Sequence, residues 1–127
     1  MERSEVSDDP VRFGPSDEFL RRFPKNPSHL KPDGSVSSAV FENTPGTVRM
    51  SVNWMAKSSV EDTLKGFPNF GVVMLTAEDY WKERHAIEHT PVTDPPNPAH
   101  CDIVGDKPLS VRRRLARAVR GILFSSD

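Results

Sequence analysis

The chain has 127 residues, of which 35% are hydrophobic and 28% charged, with 17 Lys+Arg against 18 Asp+Glu. That length suits one domain with a modest core, and the composition excludes a wholly disordered chain. No stretch approaches the roughly 20 apolar residues of a membrane-spanning helix, and MERSEVSDDP has no apolar run, so no secretory signal is expected.

Residues 1–15 are acidic and proline-punctuated, and are expected to form a flexible or loosely docked tail, tied down through Val11 and Phe13. The domain proper is expected to span residues 16–127. Ser16 is a fair N-cap for one or two helical turns over Phe19–Phe23, stopped by Pro24. Residues 25–34 carry Pro27, Pro32 and Asp33-Gly34, and read as an extended, turning connection. Ser35 to Phe41 reads as a strand. Asn43 to Gly46 reads as a turn. Thr47 to Trp54 alternates cleanly, with Val48, Met50, Val52 and Trp54 on one face. Together these predict a hairpin.

Ser58 or Ser59 starts a helix that runs to about Lys65 and stops at Gly66 and Pro68. The apolar run Phe70–Leu75 predicts a central strand. Thr76 and Asp79 have capping-box spacing and start a helix through about Arg84, with Trp81 expected to be more buried than Tyr80. A strand over residues 85–92, a rigid TDPPNP loop and a strand over Ala99–Val104 follow. The last helix is capped by Ser110 and runs to about Phe124. The fold class is α+β: a single small domain with a mixed or mostly antiparallel sheet of about 4–5 strands, packed by 2–4 helices.

Charge is unevenly spread. From Lys107 onward there is a surplus of five positive charges, and the rest of the chain carries a surplus of six negative ones. In the last helix Val111, Leu115, Ala118, Val119 and Ile122 fall in an arc of about 100°, so this stripe faces the sheet. Arg113, Arg117 and Arg120 fall on the opposite side, flanked by Arg112 and Arg114. They are the candidate anion- or partner-binding residues, because the planar guanidinium donates two parallel bonds to phosphate or carboxylate. Balance against the acidic body is the alternative use of this face.

Cys101 is the one cysteine, so no internal disulfide and no cysteine-based zinc site is expected, and the compartment is read as cytoplasmic. On a strand Cys101 faces away from both of its neighbours. If Cys101 is buried, His100 and Asp102 share the other face, with His100 as candidate acid or base and Asp102 as its orienting partner. Arg22 is the candidate anchor for an anionic substrate, or else a structural guanidinium that bonds loop carbonyls. An Arg, a Ser and a His brought together could bind and cleave a phosphorylated or ADP-ribose-like substrate, with Ser37 and Ser38 the serines considered.

His85 and His89 are four apart, but no HExxH, P-loop, GxGxxG or GxSxG motif occurs. No metal and no cofactor is expected. The leading functional reading is a binding or accessory module that acts through the arginine-faced helix on a protein partner or a phosphate-bearing one. The alternatives are a small hydrolase or transferase acting on an anionic substrate through His100, and a nucleic-acid-binding protein.

Overall fold

A computed structural model describes residues 11–124, which contain eight strands and three α-helices. In chain order these are β1 (Glu18–Pro24), β2 (Arg49–Trp54), α1 (Val60–Leu64), β3 (Phe70–Thr76), α2 (Ala77–Trp81), β4 (Ala86–His89), β5 (Val92–Thr93), β6 (Pro96–Asn97), β7 (His100–Val104), α3 (Leu109–Ala118) and β8 (Gly121–Phe124). Six strands form one antiparallel sheet, ordered β4-β7-β2-β1-β3-β8, and β5 with β6 forms a separate ribbon. The class is α+β, with a larger sheet than the four or five strands expected. None of the helices among the described residues is long and apolar enough to cross a membrane.

The extra strands come from two segments expected to be helical. The first is β1, which lies near the middle of the sheet between β2 and β3. Phe19 and Phe23 are four apart, a spacing that suits one helix face and one strand face equally. Leu20 decides between them. Phe19 and Phe23 are 0% exposed in the main core, while Leu20, 1% exposed, packs in a second cluster with Leu64 and Val72. A short helix buries one stripe, whereas a strand covered on both faces buries both sets.

The second segment follows α3. The helix stops at Ala118, the Arg120 amide donates to the Met74 carbonyl, and Gly121–Phe124 pairs along β3. The free edge of β3 supplies backbone partners that a further helical turn would not need, and the Ile-Leu-Phe run suits a strand.

The expected strand over 35–41 is a 3₁₀ turn at Ser38–Phe41, preceded by one isolated bridge between Leu30 and Val36. The Ser37 hydroxyl accepts from the Ala39 amide at 3.2 Å, a local bond that competes with strand pairing. The predicted hairpin therefore does not form, and β2 pairs with β1 and β7 instead. The turn still buries Val40 and Phe41.

At α2 the capping box forms as read, with the Thr76 amide donating to Asp79 Oδ2 at 2.8 Å. The order of burial within it is reversed: Tyr80 is 0% exposed and Trp81 40%. The helix ends at Trp81, so Ala77 and Tyr80, one turn apart, take the inner face, and Tyr80 meets Phe19 edge-on. The α3 cap is Pro108, not Ser110. The expected tail lies mostly outside the described residues, although Phe13 packs edge-on against Phe19 and Trp54.

α2, α3 and the 3₁₀ turn cover one face of the sheet. On the other face α1 covers only the β1–β3 half, through Leu64 on Leu20 and Val72. The half formed by β2, β7 and β4 carries polar side chains. That asymmetry positions the site.

One buried titratable group gives a pH test of this packing. His85 is 4% exposed, its Nε2 lies 3.0 Å from the Asp106 carbonyl, and its Nδ1 has no partner among the described residues. A Cβ on Gly105 would lie 2.5 Å from the ring, so only glycine leaves room for it. Burial lowers the His85 pKa, and nearby Lys107 lowers it further; the Asp106 carbonyl, Glu83 and the Asp106 carboxylate oppose this. The folded state then binds fewer protons than the unfolded state just below the ordinary histidine range near 6.5. Stability is expected to fall as pH drops from 7.5 to 5.5. A thermal melt series checks this: the slope should flatten in His85→Gln, and an equal slope in both proteins would contradict it.

Candidate functional site

Register builds the site. β1 pairs Leu20 with Asn53, and β7 pairs His100 with Asn53 and Asp102 with Ser51. Leu20, Arg22, Ser51, Asn53, His100 and Asp102 therefore share the α1 side of the sheet. Between this polar strip and α1 lies a cleft of about 310 Å³, lined by Arg22, Ser51, Asn53, Thr63, Phe67, Phe70 and His100 among others.

The His100 ring is held at both nitrogens. Nδ1 is 2.9 Å from the Thr90 carbonyl and 2.9 Å from the Thr90 hydroxyl, and Nε2 is 3.2 Å from Ser51 Oγ. The Thr90 carbonyl can only accept, so a bond to it requires the tautomer with its proton on Nδ1, whereas the Thr90 hydroxyl at the same distance can serve either tautomer. In the Nδ1–H tautomer Nε2 is the basic nitrogen and the Ser51 hydroxyl donates to it. Asp102 does not provide the orienting contact. Its carboxylate accepts from Arg49 at 3.0 Å, and Arg49 also bonds Glu88 at 2.8 Å. His100 and Asp102 share a face, but the orienting acceptor is a main-chain carbonyl.

Arg22 forms the facing wall. Its Nη1 donates to the Thr63 carbonyl at 3.0 Å, and the guanidinium lies 4.0 Å from the centre of the Phe67 ring. Burial lowers its pKa, but a guanidinium remains charged at neutral pH. Its other donors make no hydrogen bond among the described residues and remain available to a ligand, whereas Arg21, which also borders the cleft, spends its donors on main-chain carbonyls. Stacking and a single anchor hold Arg22 in place, worth about 1–2 kcal/mol together. Asn53 has a structural bond at each end: its amide nitrogen donates to Thr63 Oγ1 and its oxygen accepts from Asn97, both at 3.0 Å.

Bonding several loop carbonyls, one of the two roles considered for Arg22, is performed by its neighbour. Arg21 donates to the carbonyls of Val40, Ser51 and Glu42 at 3.0, 2.9 and 3.2 Å. Cys101 is 0% exposed on the other face, and burial with the neighbouring Asp102 charge pushes its thiol up to about 12. It is not a nucleophile at neutral pH.

The arginines of the C-terminal segment divide. Arg120 lies beyond the end of α3 and binds Asp79 through two bonds of 2.8 Å. Arg114 grips Glu83 in the same way, and Arg112 donates to the Lys107 carbonyl and reaches Glu42 at 3.5 Å. Arg113 and Arg117 form no ion pair among the described residues and line a groove with Lys31, Ser35, Ser37 and Ser38. Arg120 is thus not brought together with Arg113 and Arg117.

Ser51, Phe67 and the Thr90 carbonyl were not singled out from sequence. Ser51 stands on the polar side of an alternating strand, which was the available signal, but its meeting with His100 depends on a long-range register. Among the described residues no group of three or more His, Cys, Asp or Glu side chains converges.

The fold and cleft define a small α+β protein with one half-open sheet face and a histidine–serine pair beside a fixed arginine. Comparison with family models, with curated proteins and with solved structures finds no match to the chain.

Proposed function

We propose that the cleft between α1 and the sheet is the working site of a small hydrolase or transferase acting on an anionic, phosphate-bearing substrate. The observation that carries this reading is the Ser51–His100 contact, in a ring held on its other side by Thr90, within the cleft that Arg22 also lines.

Arg22 binds a phosphoryl oxygen and orients the group. Ser51 Oγ attacks phosphorus as its proton passes to His100 Nε2, forming the Oγ–P bond. The bond to the leaving oxygen breaks, and that oxygen takes the proton from His100. Water, or an acceptor hydroxyl, then gives its proton to His100 and attacks the phosphoserine; the Oγ–P bond breaks, Ser51 Oγ takes the proton back, and phosphate or the phosphorylated acceptor leaves. A neutral His100 is needed at the start and its protonated form midway. The single unpaired cysteine is the reason for reading the location as cytoplasmic.

The test is turnover of a panel of chromogenic phosphate mono- and diesters. Ser51→Ala and His100→Ala should each lower kcat by about 100-fold or more, whereas Arg22→Ala should mainly raise KM. Equal rates in wild type and Ser51→Ala would sink the nucleophile assignment.

A second reading, a binding surface on α3, is favoured by one observation: Arg113 and Arg117 have no ion-pair partner among the described residues while Arg112, Arg114 and Arg120 all do. It covers a protein partner or a nucleic acid.

A further inference from the structure

The cleft uses neither α3 nor the segment facing it. Arg113 and Arg117 are one helical turn apart, so their side chains leave α3 on the same side. Across from them runs the stretch that carries Lys31, Ser35 and Ser38, held to α3 by contacts between the helix and the 3₁₀ turn. The space between is a groove of about 580 Å³, with Val36 and Ala116 among its lining residues. Val36 is 3% exposed and belongs to the core, so this wall of the groove is fixed.

The neighbouring hydroxyls are not equivalent. Ser35 Oγ donates to Asp33 at 2.6 Å and Ser37 Oγ donates to the Ser28 carbonyl at 2.6 Å. The Ser38 hydroxyl forms no hydrogen bond among the described residues and remains a donor. Three cations and one hydroxyl therefore border one groove. Charge neighbours narrow what fits. Asp33 interacts with Lys31, and Glu42 is paired with Arg112, the residue next to Arg113. A chain of phosphodiesters extending out of the groove would meet these carboxylates. A single dianionic group spans less of this surface, with Asp33 beside one of its three cations, and it concentrates about twice the charge of one diester at a point.

We propose that this groove binds the phosphate monoester of a phosphorylated protein segment, with Arg113, Arg117 and Lys31 around the phosphate and the half-buried Ala116 beneath the segment. This rests on the second reading, that the α3 arginines form a binding surface, and it names the ligand class.

The probe is a fluorescent degenerate phosphoserine peptide library, with its unphosphorylated counterpart and a single-stranded oligonucleotide as separate arms, measured by anisotropy. The expected result is binding of the phosphorylated library alone, weakened at least about tenfold by Arg113→Ala/Arg117→Ala. That variant should melt with wild type, since neither side chain has a partner among the described residues. Arginine-dependent binding of the oligonucleotide without the phosphopeptide would overturn the ligand class and leave the arginine surface intact. Binding of neither probe, or phosphopeptide binding indifferent to both arginines, would overturn the proposal and the surface together.

Discussion

Replacing Arg21 by methionine is expected to destabilise the fold by about 3–5 kcal/mol. The guanidinium is largely buried and donates to three carbonyls from different parts of the chain: Val40 and Glu42 around the 3₁₀ turn, and Ser51 in β2. Methionine fills a similar volume but leaves three acceptors without these donors. A small domain has only about 5–15 kcal/mol in total, so much of its stability goes with this one side chain. Lysine is not an adequate substitute, because one ammonium cannot span carbonyls that the planar fork reaches separately. Urea denaturation of the Met and Lys variants checks this. A methionine variant within 1 kcal/mol of wild type, a threshold about the size of one hydrogen bond, would show that water replaces the guanidinium.

The second large effect is expected at Lys107, which closes the neighbouring turn. Its ammonium donates to Asn43 Oδ1 at 2.6 Å and to the carbonyls of Ile103 and Gly105, both at 3.0 Å. The residue is 8% exposed, and burial, aided by the Arg21 charge, pushes its pKa down to about 8. It is therefore still mainly protonated at pH 7, and its three bonds offset the desolvation. Lys107→Met should cost about 2–4 kcal/mol. Asn43 also donates to the Gly105 carbonyl, at 3.0 Å. Lys107→Met and Asn43→Ala should thus be less than additive, since each disturbs the same three groups. Strict additivity in a double-mutant cycle would contradict the shared network.

Arg21 and Lys107 act on one stretch, residues 40–43, and this explains why a segment with few backbone ladder bonds is well placed in the core. It also ties the core to the cleft, because Arg21 holds the main chain of Ser51. Loss of Arg21 is expected to disturb the Ser51–His100 contact as well as the fold.

What could be read in the sequence was local. The alternation of Val48 to Trp54, the apolar run at Phe70–Leu75 and the Thr76–Asp79 spacing each specify structure through neighbours a few residues away, and β2, β3 and the α2 cap are where they were expected. The misread segments are those that long-range pairing decides. The spacing of Phe19 and Phe23 is compatible with two periods, and only β2 and β3 on either side select the strand. Ile122 continues the apolar stripe of α3, and only the open edge of β3 makes it part of β8. Tyr80 and Trp81 are adjacent, and which one turns inward depends on where α2 ends.

The site divides in the same way. That His100 and Asp102 lie on one face, with Cys101 on the other, is strand geometry and was legible. That His100 meets Ser51 and Thr90, and that Asp102 meets Arg49, depends on how β7 lies against β2 and on the chain that leaves β4. Arg113 and Arg117, which have no ion-pair partner among the described residues, are told from Arg120 only once Asp79 is located.

The cleft assignment is tested most directly by titrating isotope-labelled protein with inorganic phosphate and following the His100 ring and the Ser51 and Asn53 amides by NMR. Saturable shifts at these three residues, abolished in Arg22→Ala while shifts at Arg113 and Arg117 persist, are the predicted result. Shifts confined to the α3 groove, with His100 and Ser51 unmoved at saturation, would contradict the account.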